Sequence, residues 1–539
     1  MHASIIVKNK TKCDLQKFQE TLQSLKSHGF QTIQIQKESD LTSDLTSDLY
    51  LYPGETIKDE ITNDFSILVF NGTILQEKKR GLKSFSIITS EYTPTTEFID
   101  FLQSDNIHLI RKFVKQYPNS LESHLKYALH CMKNHKYQTA FTHFELGRKW
   151  MNKALKLKGW VPDWHQYRHD FESSICAYYV GEDKREQGRF YADRVITNPH
   201  VPQQILNYTY QNYEFYIDPL NVLWTKKYFV SDMEEIPSDI KDYKSLNPSL
   251  LSREDGKLYM NLRIVNWSVN PIGFNQYSTP HPKNKFKTKN ILGIISEEGE
   301  YIQKPKLVSK EELEIEKVRS HRIDGFEDCR LFDHSEDGSL HFIANYTKNN
   351  PKGDIRLSLG TISCKNGSSP KYTSLTPITG YGDHLTQKNW LLYDKKDNKV
   401  KAIYGYNPFT IVEIDLENGV AKPLSQTQLP IRSGEFRGSG GPIAFEDGYL
   451  LVIHQVYYKH HGGRRYLHRF IKLDKDYVPI AISMPYYLQS KDIEYISTMV
   501  TTNSGKVLIG YGLCDKCACL ACVETETISN MLRPIKDYL

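Results

Sequence analysis

The feature that most limits the fold of this chain is a sequence pattern that recurs between residue 219 and the end. Short apolar segments return, and many follow a turn in which an acidic residue precedes Gly or Asn. The clearest turns are Glu254-Asp-Gly256, Glu336-Asp-Gly338, Asp397-Asn398 and Glu446-Asp-Gly448. Such turns join neighbouring antiparallel strands. The pattern recurs about every 60–70 residues, which is the length of a four-stranded blade. This spacing predicts that residues 219–539 form an all-β propeller of about five blades.

Residues 116–218 show helical spacing instead. Ser120 to Met132 and Tyr137 to Trp150 form one predicted helix pair, and a second pair follows over residues 170–196. Small residues where the helices approach resemble a tetratricopeptide unit. We therefore expect helical repeats that support a neighbouring domain or present a face to a protein partner.

Residues 1–115 predict a small α/β region. Ala3 to Val7 is a buried strand, Leu15 to His28 has helical spacing, and Phe30 to Ile35 is a second strand, with further strands over residues 65–70 and 84–88. A strand, a helix and a strand in this order favour a compact parallel unit.

Val7-Lys8-Asn9 resembles the first strand of the family 2 glycosyltransferases. That family requires an Asp-x-Asp after a later strand, whereas the strand at Phe65 ends in Asn71-Gly72-Thr73. Without acidic oxygens a divalent cation has little reason to bind. Residues 1–115 are therefore interpreted as a metal-less remnant of that fold or an unrelated α/β unit, and not as a catalytic domain.

Charge and cysteine usage exclude several classes of protein. The net charge of +5 is dispersed over 539 residues, which gives no basis for nucleic-acid binding. The sequence contains no run of about 18 apolar residues that would span a bilayer. The nine cysteines are odd in number, which favours free thiols in a reducing cytoplasm. The four cysteines between Cys514 and Cys522 either bind zinc or, as strand alternation favours, belong to a core strand.

The stretch Arg322-Ile-Asp-Gly-Phe-Glu-Asp-Cys-Arg330 concentrates charge immediately before the apolar pair Leu331-Phe332. This pattern predicts a strand that enters a core and carries acids and a base at its open end. On a regular strand Asp328 and Arg330 share one face, and Glu327 points to the other. The alternative interpretation is a surface salt-bridge cluster on a hairpin.

Together with other motifs, this stretch resembles the propeller of the mannoside phosphorylases of glycoside hydrolase family 130 and the related mannosyltransferases. Gly325-Phe-Glu-Asp-Cys-Arg330 matches the family's Gly-x-Glu-Asp-Pro-Arg, with Cys329 in place of Pro. The other matching segments, in order, are Asn247-Pro248, Arg263, Gln387-Lys-Asn-Trp390, Tyr406-Asn-Pro408, Arg437-Gly-Ser-Gly-Gly-Pro442, His454, His468-Arg469, Ile493-Glu-Tyr495, Gly510-Tyr-Gly512 and Asp515.

The resemblance implies a site at the propeller axis. Asp328 would be the catalytic acid or base of an inverting single displacement that needs no metal and no cofactor. The phosphate or nucleotide would be bound by Lys388, Arg437, His454 and Arg469. The sugar donor and glycan acceptor, with mannose as the implied sugar, would be bound by Asn247, Arg263, Glu327, Arg330, Asn389, Tyr406, Glu494 and Asp515. The helical repeats upstream favour synthesis over phosphorolysis.

Three alternatives stay open on the sequence. Hydrolysis needs a second carboxylate to activate water. Glu435 and Glu494 are candidates for that role, whereas the strand pattern excludes Glu327. A non-catalytic carbohydrate-binding or scaffold protein would keep the propeller and lose turnover. A substrate adaptor built on the repeats would use the propeller as a second interaction face.

Overall fold

The computed structural model describes residues 2–9, 32–37, 65–70, 106–157, 167–253, 255–269, 277–279, 286–310, 323–335, 337–346, 355–364, 368–382, 387–458 and 464–538. The chain divides into two compact units, Met1–Ala192 and Asp193–Leu539. None of the helices described combines the length and the apolar character needed to cross a bilayer.

The first unit begins with three strands. These are β1 (His2–Asn9), β2 (Thr32–Lys37) and β3 (Phe65–Phe70). β1 pairs with β2 in parallel and with β3 antiparallel. The helix predicted over Leu15 to His28 and the strand over residues 84–88 lie outside the described residues, so the α/β domain stays a prediction.

Helices follow from residue 107. They are α1 (Ile107–Gln116), α2 (Leu121–Lys133), α3 (Tyr137–Leu157), α4 (His169–Val180) and α5 (Glu182–Thr197). The Ser120 hydroxyl begins α2 by accepting the Ser123 N–H at 3.2 Å, as a helix cap should. Leu125 and Ala128 of α2 pack with Phe141 and Phe144 of α3. α2 to α5 overlap the two helix pairs that the sequence predicts, whereas α1 is not predicted by it; the assignment as tetratricopeptide repeats stays a prediction.

The second unit contains α6 (Gln203–Tyr213) and the β-rich region. Blade 1 comprises β5 (Lys244–Ser252), β6 (Leu258–Val265), β9 (Phe286–Ile295) and β10 (Tyr301–Leu307), with β7 (Ser268–Val269) and β8 (Tyr277–Ser278) as a separate hairpin and β11 (Ile323–Asp324) paired to β9. Blade 2 comprises β12 (Glu327–His334), β13 (Leu340–Asn345), β14 (Leu357–Ser363) and β15 (Lys371–Pro377). Blade 3 comprises β16 (Leu391–Lys396), β17 (Lys399–Tyr406), β18 (Phe409–Asp415) and β19 (Ala421–Thr427).

Two more sheets complete the set. Blade 4 comprises β20 (Arg437–Phe445), β21 (Gly448–Tyr458), β22 (Arg464–Leu473) and β23 (Pro479–Ser483), followed on its outer edge by β27 (Leu532–Pro534) after α7 (Thr525–Met531). Blade 5 comprises β24 (Glu494–Thr501), β25 (Val507–Leu513), β26 (Cys517–Val523) and β4 (Trp224–Tyr228). Within the described part of the chain these are five blades, which confirms the predicted propeller.

The ring closes through β4. This strand precedes blade 1 in sequence but pairs with β26 of blade 5, with Tyr228 opposite Ala518 and Trp224 opposite Cys522. Pairing the first strand of the region with its last blade closes the ring of blades. The start and the end of the propeller region are therefore held in one blade by main-chain hydrogen bonds.

The innermost strands β5, β12, β16, β20 and β24 contact one another in turn and surround the axis. Glycines let them approach, because a Cβ on Gly438 would lie 2.3 Å from the Asn389 carbonyl oxygen and one on Gly440 would lie 2.9 Å from the Thr498 carbonyl carbon. An axial cavity of about 350 Å³ remains between them, and Ser249 and Ser439 are part of its lining.

The cysteines at the end of the chain lie on β26. Cys517 and Cys519 face one hydrophobic cluster and Cys522 faces the opposite one, and all three are buried. The Sγ atoms of Cys517 and Cys519 are 3.9 Å apart. Among the described residues, no three or more His, Cys, Asp or Glu side chains are grouped so that they could hold a metal ion. The arrangement is that of the core strand that alternation favours.

Candidate functional site

The Gly-Phe-Glu-Asp-Cys-Arg motif is fixed to blade 1 by its backbone. Gly325 has a φ of 126°, and a Cβ there would lie 1.9 Å from the Thr288 carbonyl oxygen, so only glycine lets the chain pass this close to β9. The Asn290 amide donates to the Phe326 carbonyl at 3.2 Å, and the Asn261 amide donates to the Cys329 carbonyl at 3.0 Å. Cys329, which stands where the family has Pro, is buried in the core of blade 2.

A bulge at Asp328 changes which way the acids point. Asp328 has a φ of 47°, and the pairing of β12 with β13 shifts register between Glu327 and Arg330. A bulge of this kind re-aims a side chain and interrupts strand alternation. The prediction that Glu327 points away from Asp328 is therefore wrong, because both carboxylates contact the guanidinium of Arg263 on β6.

Arg263 holds the two acids together. Its Nη1 donates to Asp328 Oδ1 at 2.9 Å, its Nη2 donates to Glu327 Oε1, and its Nε donates to Thr288 Oγ1 at 3.1 Å. The side chain is only 6% exposed, and its Cζ lies 5.6 Å from the centre of the Trp267 ring. A fixed guanidinium in this position favours ionised carboxylates beside it.

The two acids respond to Arg263 differently. Burial favours a raised pKa for Asp328, but Arg263, the Asn247 amide at 2.9 Å and Arg330 outweigh burial, so the pKa of Asp328 is lowered. For Glu327 burial outweighs Arg263, and the negative charge of Asp328 adds to it, so the pKa of Glu327 is raised. When the pair holds a proton, that proton resides on Glu327 and Asp328 is the carboxylate.

Next to the acids lies a second group of polar side chains. Arg330 donates through Nη2 to the Tyr495 hydroxyl, which in turn donates to Asn389 Oδ1 at 3.0 Å. Among the described residues, Arg330 Nη1 is buried without a hydrogen-bond partner, and so is the hydroxyl of Tyr406. The electrostatic influence of Arg330 reaches Tyr406, whose pKa is raised mainly by burial. Buried donors without partners indicate a place for an acceptor that the chain itself does not supply.

His454 joins this group from β21. Its Nδ1 lies 2.8 Å from Ser439 Oγ, and its ring lies edge-on to Tyr495 with 5.2 Å between ring centres. Burial lowers the pKa of His454, and His468, Arg330, Arg437 and Lys388 lower it further, so the ring is neutral near pH 7. The sequence treats His454 as a cation for phosphate, whereas the structure makes it a neutral hydrogen-bonding ring.

Lys388 and Arg437 are the exposed cations of the arrangement. Arg437 begins β20 and stands opposite His454 in the strand register. Lys388 acts electrostatically on both His454 and Glu327, one member of each polar group. Acids, buried donors and exposed cations thus occupy one end of the axis.

Asp515, just beyond β25, interacts electrostatically with both acids and with Arg263. Burial raises its pKa to about 6; Arg263 and Arg464 oppose the shift, and the charges of Asp328 and Glu327 add to it. Tyr277 of β8 stands in the same electrostatic neighbourhood and rests edge-on against Trp267 at 5.1 Å. Tyr277 is 40% exposed, so one aromatic ring at the mouth of the site is open to solvent.

Two predicted site residues are used elsewhere. Arg469 has no exposed surface, and its guanidinium binds the Asp193 carboxylate, Gln455 Oε1 and the Ser483 carbonyl. Its position therefore does not support a phosphate-binding role. Glu494 also has no exposed surface, because its carboxylate accepts backbone N–H groups at 2.6, 2.7 and 3.0 Å from residues 488–490. Glu494 stabilises a loop and does not face the site.

Sequence reasoning missed four side chains that line this region, Trp267, Tyr277, Ser439 and Tyr495. Tyr495 follows Glu494 directly, and the matching segment contains both, but residue type favoured the acid. Neighbours on a strand face opposite ways. Alternation along β24 therefore allows only one of Glu494 and Tyr495 to face the site, and the sequence alone does not tell which.

Comparisons with known proteins add context. No protein-family model matches the chain, and no curated protein matches it. Similar solved structures include one from the GH130 family of mannoside phosphorylases, a family that contains glycoside hydrolases targeting beta-1,2 mannosidic linkages in Candida mannan; it is 14% identical, covers 53% of this chain and 85% of that chain, and has a TM-score of 0.39.

Two further similar structures come from Leishmania mexicana. A mannose phosphorylase in complex with phosphate ion is 11% identical, with 61% of this chain and 96% of that chain covered and a TM-score of 0.36. A GDP-Man-dependent mannosyltransferase is 14% identical, with 55% and 91% covered and a TM-score of 0.33. At such identities and TM-scores these similarities carry no argument about activity, which rests on the geometry of this chain.

Proposed function

We propose that this chain is a carbohydrate-active enzyme, a glycosyltransferase or glycoside phosphorylase that works by inverting single displacement at the propeller axis. One observation supports it above the others: an ionised Asp328, held by Arg263 and Asn247, lies beside a group of buried donors and exposed cations. This pairing of one carboxylate with a cationic pocket is what transfer between a sugar and a phosphate requires.

In the synthetic direction Asp328 is the base. It takes the proton of an acceptor hydroxyl, directly or through a hydroxyl of the donor sugar, while the acceptor oxygen forms a bond to the anomeric carbon. The bond between that carbon and the phosphate oxygen breaks on the opposite face, and phosphate or nucleotide leaves with the electron pair. The lowered pKa keeps Asp328 ionised near pH 7, which is the protonation state that a base requires at the start of this step.

The departing phosphate would be bound by the other group. Lys388 and Arg437 supply charge, Arg330 Nη1 supplies a donor with no hydrogen-bond partner among the described residues, and neutral His454 supplies a hydrogen bond. Bidentate guanidinium contacts are the strongest that proteins make to phosphate. Phosphate binding would in turn raise the pKa of His454, so the pocket adapts its charge to its ligand.

The sugar is assigned from the motif resemblance and from the polar side chains around Asp328. The motif resemblance implies mannose, and Asn247, Glu327, Arg263, Asn389 and Asp515 are the side chains we assign to sugar hydroxyls. Asn247 lies next to Asp328 because its amide donates to that carboxylate, and Glu327 lies near it because both acids bind Arg263. The exposed ring of Tyr277 offers the apolar face on which sugars commonly stack.

Hydrolysis is the second candidate, and the raised pKa of Asp515 is the observation that favours it. Glu327 and Asp328 share one guanidinium, so they lie side by side and cannot flank an anomeric carbon from opposite faces. Glu494 is occupied by backbone amides and Glu435 accepts the Tyr210 hydroxyl at 2.8 Å. Asp515, with a pKa of about 6, is the carboxylate left to activate water.

The test is a donor screen with a matched pair of variants. The protein is incubated with a mixed glycan acceptor and either mannose 1-phosphate or GDP-mannose, and released phosphate or GDP is measured. Asp328→Asn should lose at least about 10²-fold in rate. Asp333→Asn, on the same strand but in a surface pair with Lys395, should retain the rate.

The outcomes separate the candidates. Release that depends on Asp328 and on the acceptor supports transfer. Release without acceptor, with free sugar as product and dependence on Asp515, supports hydrolysis. Binding of sugar phosphate with no turnover of any donor supports the non-catalytic carbohydrate-binding reading and contradicts our proposal.

A further inference from the structure

The segment Asp193–Glu214 lies outside the four-stranded blades, yet blade 4 holds it tightly. It contains the last residues of α5, a short turn and α6. Three independent contacts connect it to the two places in blade 4 that carry the proposed phosphate ligands. We call Asp193–Glu214 the blade-4 clamp.

The first contact is an ion pair that connects the clamp to the strand segment containing His454. Asp193 accepts two hydrogen bonds from Arg469, and neither side chain has exposed surface. Arg469 also donates to Gln455, which follows His454 on β21, at 2.9 Å. A buried ion pair with all its bonds made is rigid, and breaking one side of it is costly.

The second contact fixes the loop that leads to Arg437. Arg432 donates its backbone N–H to the Thr197 carbonyl at 2.5 Å, and its guanidinium donates to the carbonyls of Asn198, Pro199 and Val201 at 3.3, 3.2 and 2.8 Å. Thr197 is the last residue of α5 and the other three carbonyls lie just beyond it, so the charge of Arg432 stands at the C-terminal end of the helix, where a positive charge is favourable. One side chain therefore joins the clamp to the approach of β20.

The third contact is nearest to the site. Tyr210 of α6 donates its hydroxyl to Glu435 at 2.8 Å, and its ring stacks on Tyr457 with 5.4 Å between centres. Glu435 stands two residues before Arg437, the exposed cation that we assign to phosphate. The hydroxyl is largely buried, and burial followed by Glu435 raises the pKa of Tyr210, so it stays a donor at all ordinary pH values.

We propose that the blade-4 clamp is a positioning element for the phosphate subsite, and that Tyr210 is the positioning residue that fixes Arg437 through Glu435. This inference rests on the proposed function, because it assumes that Arg437 binds phosphate. It assigns Glu435 a supporting role in place of the catalytic one that the sequence left open. Removing the hydroxyl of Tyr210 frees Glu435, and the free carboxylate competes with phosphate for Arg437.

The experiment titrates the full chain with inorganic phosphate by calorimetry and measures turnover at saturating phosphate or sugar phosphate. Tyr210→Phe keeps the stack on Tyr457 and loses one hydrogen bond to a charged group, so phosphate affinity should fall about five- to tenfold while kcat stays within about twofold. Tyr208→Phe on the same helix is the control, because Tyr208 is 50% exposed, and its affinity should be unchanged. Combining Tyr210→Phe with Glu435→Gln should restore part of the affinity, since the competing charge is gone.

The outcomes separate a positioning role of the blade-4 clamp from a purely structural one. If Arg437→Ala loses phosphate and Tyr210→Phe binds it as the wild type does, the clamp is only structural and the inference is wrong, whereas the proposed function stands. A lower thermal midpoint for Tyr210→Phe with unchanged phosphate affinity has the same meaning. If the wild type itself binds no phosphate, both the subsite and the clamp's role are refuted.

Discussion

Replacing Arg263 by Gln tests the centre of the site in a single step. Arg263 contacts both Glu327 and Asp328, and all three are mostly buried, with 6%, 14% and 20% of their side chains exposed. The amide of Gln is neutral and too short to bridge both acids. Removing one partner of a buried ion pair costs about 3–5 kcal/mol, which we take as the expected loss in unfolding free energy near neutral pH.

The loss should depend on pH in a definite direction. In the wild type the lowered pKa of Asp328 means that this group stabilises the fold above its unfolded pKa, about 3.9, and that the contribution disappears as the pH falls. In Arg263→Gln two adjacent buried carboxylates repel, so their pKa values rise above the unfolded ones. Protonation then relieves the repulsion, and the difference between variant and wild type should shrink from pH 7.5 to pH 4.5.

Urea unfolding followed by tryptophan fluorescence measures both effects, since Trp267 lies next to Arg263. Arg253→Gln is the matched control: Arg253 pairs with Asp255 at the exposed turn of the same hairpin, so its loss should be small and sensitive to salt. The reasoning fails if Arg263→Gln costs no more than this control, or if its cost grows as the solution is acidified.

Three further results are expected. Gly512→Ala should lower kcat/KM strongly because its Cβ would lie 2.1 Å from Asn247 Oδ1 and displace the amide from Asp328, whereas Gly405→Ala, whose Cβ meets nothing closer than 3.9 Å, should be tolerated in the same assay. Glu494→Gln should destabilise the fold by about 1.5–3 kcal/mol and speed amide hydrogen exchange at residues 488–490, because an amide group has one acceptor oxygen where the carboxylate has two. Asp515→Asn should be more stable than the wild type at pH 7 and equal to it below about pH 4, since a folded pKa raised to about 6 means that ionisation of Asp515 opposes folding; thermal midpoints across this range check the sign.

The blades could be predicted from sequence because their determinants are local. An acid-Gly turn and the alternating residues on either side of it define a hairpin without reference to the rest of the chain. The place of β4 could not be predicted in this way. Trp224 and Tyr228 lie at one end of the propeller region and their partners on β26 lie at the other, and no local pattern connects them.

The acid pair shows where the alternation rule stops. The rule assumes a regular strand, and on such a strand Glu327 and Asp328 cannot meet. Asp328 adopts a left-handed backbone conformation that Asp tolerates better than most residues, and that single residue brings the two carboxylates to one guanidinium. Sequence shows that Asp is permitted there, but the partners on β6 and β13 decide that it happens.

Arg469 and Glu494 were assigned to the site for a different reason. Both have the residue type that phosphate or sugar binding needs, and both lie in segments of the sequence that resemble the family. Their roles are set by groups distant in sequence or in a separate loop, namely Asp193 for Arg469 and the amides of residues 488–490 for Glu494. A charged residue that is fully satisfied in the core cannot be told from a ligand-binding one by its identity.

Positive φ values at three non-glycine residues mark the end of the propeller axis at which the candidate site lies. Asn247, Asp328 and Asn389 all have positive φ, at 40°, 47° and 64°, and they lie in or directly before the inner strands of blades 1, 2 and 3. A regular inner strand points its side chains at the neighbouring blades, so a departure from regular geometry is needed to turn a polar group into the funnel. A left-handed backbone conformation costs a non-glycine residue about 1–3 kcal/mol, and it persists only where the surrounding structure enforces it. At these positions the Asn247 amide donates a hydrogen bond to Asp328, and Asn389 accepts one from the Tyr495 hydroxyl. At Asp397 and Glu446 positive φ values fall in the tight turns between neighbouring strands, whereas at the three inner-strand positions this conformation coincides with side chains that we assign to the site.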